Sequence, residues 1–272
     1  MPRLEKHIEE IFSSFVDETE RNLVSIITEK QGRFPSNEKL LDSYRKCISK
    51  VKENGGDYLR EYHEIHNELC TAALLLLDDT EPSVRQVEYE PSHDGCEKRF
   101  DFEVQMSEGP TRYLEVKTIH PIDQDDWEKY KDAVKNGRFA DNTQIILDQE
   151  WLGGELYHNA YSARGKMMDY SILLEEKIQD CISHNSDKHT FLVLYSDGFD
   201  WNLDELEDFV YYYRNGTHYP GDPFAKMEEH HVRESEITLD HSIDCFAYIR
   251  RPKLEVMPNK IIWNVDSPCF PY

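Results

Sequence analysis

The sequence predicts an α/β fold with the element order helix, strand, strand, strand, helix, strand over residues of roughly 57 to 196, preceded by a helical extension. Three observations predict it. Stretches with apolar residues at helical spacing alternate with short stretches of period two. Two neighbouring segments, Arg99-Phe100-Asp101-Phe102-Glu103-Val104 and Tyr113-Leu114-Glu115-Val116-Lys117-Thr118, each put apolar and charged side chains on opposite faces of a strand. The run Thr190-Phe191-Leu192-Val193-Leu194-Tyr195 is apolar on both faces, which suits a central strand.

The elements follow in chain order. Leu4, Ile8, Ile11, Phe12 and Phe15 recur at helical spacing, as do Leu23, Ile26 and Ile27. Gly32 and Pro35 break the pattern, and Ser36 with Asn37 can cap a new helix from Glu38 to Val51. Gly55-Gly56 marks a boundary, so residues 1–55 read as a helical extension packed on the core, or as a dimerisation arm, and residues 56–272 as the main domain. A helix from about Asp57 to Leu77 carries the stripe Tyr62, Ile65, Leu69, Ala72, Ala73 and Leu76. Val84 to Tyr89 reads as a strand, and Gly109-Pro110 turns the chain between the next two.

Asp123 to Asn136 reads as a charged amphipathic helix with Trp127, Tyr130 and Val134 on one side. Asn159 to Cys181 reads as a second long helix carrying Met167, Tyr170, Leu173, Leu174 and Ile178. Leu203 to Arg214 reads as a helix ending near Gly216. Residues 215–235 read as a polar, histidine-bearing loop. Ile243 to Ile249 and Lys260 to Val265 read as two further strands that extend the sheet.

Composition narrows the class. With 272 residues, 39% apolar content, 4 Trp, 16 Tyr and 12 Phe, the chain can bury a core and is not a disordered sequence. No run of about 18 apolar residues exists, so no membrane span is expected. The charged start, Met1-Pro2-Arg3-Leu4-Glu5-Lys6, is followed by more charge, so a signal peptide is not expected from it. Six scattered cysteines without a Cys-X-X-Cys suggest reduced thiols and a cytoplasmic setting. The net charge of −23 opposes long-range attraction to DNA. Nucleic-acid binding would therefore need bound cations, a local basic strip or a partner. Arg99, Arg112, Lys117, Arg138, Arg164 and Lys166 are the candidates for such a strip.

Asp101 and Glu103 share one face of the first strand, and Glu115 and Lys117 one face of the second. Carboxylates across a hairpin, with a lysine two residues after one of them, suit a divalent cation and a water held beside it. The spacing resembles the PD-(D/E)XK nuclease superfamily, the restriction-endonuclease-like fold. Asp101 matches its first acid, Glu115 its second and Lys117 its lysine. The proline of the name is absent, since Asp101 follows Phe100.

The resemblance implies an αβββαβ core with a mixed central sheet flanked by helices. It implies Mg²⁺, or Mn²⁺, bound by Asp101, Glu115 and the Val116 carbonyl. Glu103 could join a second metal shell. Lys117 would then orient the attacking water. Glu68 of the preceding helix is implied as a further acid, ahead of Glu64. Arg164 and Lys166 are implied as phosphate contacts, with Lys177 and Gln179 further along the same helix. The substrate implied is nucleic acid, DNA ahead of RNA, with a homodimer or a partner protein of a defence or repair system. A catalytically inactive module that keeps the fold for protein assembly is the alternative. His63 and His66 miss the His-Glu-X-X-His spacing and read as surface histidines, as do His230 and His231.

Overall fold

Burial of both faces of one sheet organises the chain. The structure, a computed structural model, describes residues 19–54, 59–78, 82–93, 95–119, 152–182, 187–196, 201–220, 239–251, 254 and 257–266. Six strands lie side by side in sequence order: β1 (Val84–Tyr89), β2 (Phe102–Met106), β3 (Thr111–Thr118), β4 (Lys188–Ser196), β5 (Cys245–Arg250) and β6 (Lys260–Ile262). The first three form an antiparallel meander. Gly109 makes the β2–β3 turn with φ 90°, a left-handed conformation that glycine adopts without strain. β3, β4 and β5 are parallel, and β6 returns antiparallel on β5.

Parallel neighbours need long crossovers, and helices supply them. α4 (Leu152–Cys181) lies between β3 and β4 in the chain, and α5 (Leu203–Asn215) between β4 and β5. These two pack on one face of the sheet through Met167, Leu174, Ile178, Leu206, Phe209 and Tyr213. α1 (residues 19–29), α2 (Asn37–Asn54) and α3 (Leu59–Leu77) cover the other face through Leu23, Leu40, Tyr44, Tyr62 and Leu69. β4 is the central strand expected from its composition. Phe191, Val193 and Tyr195 face α1–α3, while Leu192 and Leu194 face α4 and α5. The molecule is thus α/β with a mixed six-stranded sheet, and β5 and β6 extend it.

Local signals place the helix ends. Asn202 caps α5 by accepting from the Asp204 amide at 2.7 Å, and the Glu205 carboxylate accepts from the Asn202 amide at 2.8 Å. Gly216 ends that helix with φ 68°. Ser36, at the start of α2, accepts from the Tyr89 amide at 2.7 Å and so pins this helix to β1.

Four expectations need correction. Asp101 lies in a bend ahead of β2 and not within it. That bend breaks the strand alternation, so Phe100 packs on the α4–α5 side while Phe102 and Val104 pack on the α1–α3 side. His66 is not on the surface: it is 1% exposed, against the Tyr44 and Tyr62 rings. Cys96 and Cys181 are joined in a disulfide with their Cα atoms 5.2 Å apart, so not every thiol is reduced.

The expected elements at residues 1–18 and 123–136, together with Arg138, His230 and His231, lie outside the described residues. Among the described residues, no helix is long and apolar enough to cross a membrane.

Candidate functional site

The β2–β3 ladder stops at the Phe102–Leu114 pair. One step further, the Asp101 carboxylate takes the place of strand backbone, and its Oδ2 accepts from the Val116 amide at 2.7 Å. Strand alternation then sorts β3. Leu114 and Val116 join the core toward α3, so Glu115 and Lys117 point to the α4 side. Lys117 Nζ lies 2.8 Å from Glu115 Oε1 and 3.9 Å from Asp101 Oδ2. The predicted trio is therefore assembled, with Glu115 6% exposed.

Both neighbouring helices reach this corner. From α4, Lys177 Nζ lies 2.5 Å from Glu115 Oε2, donates to the Arg99 carbonyl at 2.8 Å and sits over the Phe100 ring. From α3, the Glu68 carboxylate accepts from the Tyr89 hydroxyl at 2.8 Å. Glu68 also feels the charges of Asp101, Lys117 and Glu115. Glu64, one turn earlier, acts instead on the Cys47 thiol.

The electrostatics are those of a crowded, partly buried carboxylate cluster. Burial, then the Glu115 charge, raises the Asp101 carboxyl above its ordinary range, against Lys117 and the Val116 amide. Burial, then the Asp101 charge, raises the Glu68 carboxyl. Burial works to lower the Lys117 ammonium, but the charges of Asp101 and Glu115 outweigh it and hold the group above its usual value.

Three carboxyl groups thus face two ammonium groups, and hard oxygen donors suit Mg²⁺ or Mn²⁺. The donor chemistry fits such an ion. Among the described residues, however, no three His, Cys, Asp or Glu side chains converge in metal-ligating geometry. Both Glu115 oxygens are held by lysines, and Asp101 Oδ2 by the Val116 amide.

The remaining candidates lie elsewhere. Glu103 is paired across the ladder with Tyr113, interacts with its hydroxyl and accepts from Gln105 Nε2 at 3.3 Å. It makes no hydrogen bond or ion pair with Asp101, Glu115 or Lys117. Arg164 is 4% exposed and acts on Glu205 in the first turn of α5. Lys166 is half-buried and lies 11 residues before Lys177, about 16 Å along the helix axis. Arg112 is stacked over Phe191 at the far end of β3. Arg99 is exposed near Glu90 and is linked to the site through its carbonyl.

Lys177 and Tyr89 are the site residues that sequence reasoning underrated. A signal existed for Lys177. It stands three residues after Leu174 and one before Ile178, both buried, so it flanks the sheet-facing stripe of α4. No family model, curated protein or solved structure matches this chain.

Proposed function

We propose that this chain is a metal-dependent phosphodiesterase acting on nucleic acid, DNA ahead of RNA, on a restriction-endonuclease-like core. The observation that carries this reading is the convergence of Asp101, Glu115 and Lys117 where the β2–β3 ladder ends, with Glu68 beside them. Asp101 and Glu115 would hold Mg²⁺ or Mn²⁺. When bound, such an ion lowers the pKa of a coordinated water and offsets charge on the phosphoryl oxygens. Lys117 would orient the attacking water and a scissile phosphate oxygen from its place between the two acids. Partial burial beside α3 and α4 lowers the exposure of these charges to water and strengthens their effect.

The net charge of −23 bears on the substrate. Cations near the site are already paired with acids, as Lys98 is with Asp180 at 2.8 Å. Weak nonspecific binding and a partner that supplies the basic path fit this balance. The partner could be a second copy or a protein of a defence or repair system, in the cytoplasm.

A second reading, a nonenzymatic module using the fold for protein assembly, is favoured by one observation: lysines hold both oxygens of Glu115. Cleavage of labelled single- and double-stranded DNA and RNA with Mg²⁺ or Mn²⁺ separates the two. Metal-dependent cutting that disappears in Asp101→Ala and Lys117→Ala supports the enzyme. No cutting by the wild type, together with no Mn²⁺ binding by calorimetry, supports the module.

A further inference from the structure

The segment entering Asp101 and the last turns of α4 are fastened together at several points. Lys177 donates to the Arg99 carbonyl at 2.8 Å, and Lys98 Nζ lies 2.8 Å from Asp180 and 3.5 Å from Glu176. The lysine at position 98 and its acids are 43–56% exposed, so those ion pairs hold weakly. The covalent fastening is the Cys96–Cys181 disulfide, which spans 85 residues of sequence. Cys181 is the last residue of α4, one turn beyond Lys177, and Cys96 lies five residues before Asp101. Both cysteines are half-exposed, whereas Cys47 and Cys70 are buried.

We propose that Cys96 and Cys181 form a thiol-modification site whose redox state sets whether Lys177 stays on Glu115. A low-molecular-weight thiol such as glutathione supplies the chemistry. Its thiolate attacks one sulfur, the S–S bond breaks, and a mixed disulfide forms. A second thiolate then attacks the sulfur of the first, and the protein cysteine leaves as a free thiol. The protein gains two electrons and two protons as two thiols become one low-molecular-weight disulfide. The reverse exchange closes the latch.

In the closed state the end of α4 cannot draw back, and Lys177 remains on Glu115 Oε2. In the open state that end keeps its exposed ion pairs, the Gln179–Asp240 contact and the packing of Ile178 and Ile182, but it has lost its covalent fastening, and terminal helical turns open more readily than central ones. Lys177 then leaves Glu115, and one carboxylate oxygen becomes free for another cation. The meaning of this step as activation rests on the proposed function; the latch itself does not.

The test follows the Lys177 amine directly. Full-length protein is equilibrated with oxidised or reduced glutathione, and lysines are labelled by reductive methylation and mapped by mass spectrometry. The expected result is a Cys96–Cys181 linked peptide in the oxidised sample. On reduction, and in Cys96→Ser under either condition, Lys177 labelling rises several-fold while Lys188 labelling stays constant. Absence of the linked peptide in oxidised glutathione overturns the proposal, and so does equal Lys177 labelling in both states. Chemical reduction of the wild type serves if Cys96→Ser does not fold. A latch that opens without any gain in Mn²⁺ affinity or cleavage would leave it standing and count against the nuclease reading.

Discussion

Lys177 and Glu115 stand 62 residues apart in the chain, yet the ammonium of one lies 2.5 Å from the carboxylate of the other. Glu115 carries Lys117 on its second oxygen, so one buried acid is shared by two lysines from two elements. The charge balance of the whole corner hangs on that sharing.

Lys177→Met leaves Glu115 with one ammonium in a buried setting. A loss of about 2 kcal/mol is expected, because removing one partner of a buried pair leaves charge undercompensated. Urea unfolding measures it. In Lys177→Met/Glu115→Gln the cost should be smaller than the sum of the two single changes. Strict additivity would mean that the contact contributes nothing.

Lys117→Met should remove metal-dependent cleavage by about 10²-fold or more, the scale lost when one charge-stabilising donor is deleted. Lys177 pairs with the other oxygen of Glu115 and, unlike Lys117, makes no ion pair with Asp101, so it should not substitute. Rates near wild type in Lys117→Met would shift the catalytic lysine to α4.

His66 makes folding pH-dependent. Burial first, then the Arg251 charge, lowers its imidazole well below the ordinary 6.5. Its neutral form is the folded one, so its contribution is complete above the unfolded value. That contribution is lost as pH falls from about 6.5 toward the lowered folded value, where the unfolded chain takes up the proton first. In the urea midpoint this contribution acts as a drop from pH 7 to about pH 5, opposite in sign to that of the raised Asp101 and Glu68 carboxyls, so it is read as the difference between the wild type and His66→Phe. His66→Phe should flatten that slope, and an unchanged slope would assign the proton uptake to other groups.

Asn202→Ala removes the reciprocal cap of α5. About 1 kcal/mol of stability should be lost, with a smaller loss for Asn202→Ser. Thermal unfolding of the two variants and the wild type measures the ranking.

The strand segments were legible because alternation is a local property. β1 was read at its observed bounds, and β4 showed its burial on both faces by composition alone. Glu115 and Lys117 were legible for the same reason, since period two puts them side by side, whereas Asp101 joins them through the bend ahead of β2. What failed was also local in cause. The bend at Asp101 reversed the face of Phe100, and no residue type announces that bend. His63-Glu64-Ile65-His66 looked polar, but His66 falls on the stripe side of α3 and is buried.

The sequence by itself determined the strand and helix segments, which faces each must bury, and the acids and lysine that could share a face. Those follow from backbone periodicity and from the cost of exposing apolar surface. Tertiary structure alone decided that β2 ends one step short of Asp101, that Lys177 and Glu68 arrive from opposite faces, and that Cys96 meets Cys181. Contacts between segments so far apart in the chain depend on how helices dock on the sheet, and docking is set by the packing of the whole core.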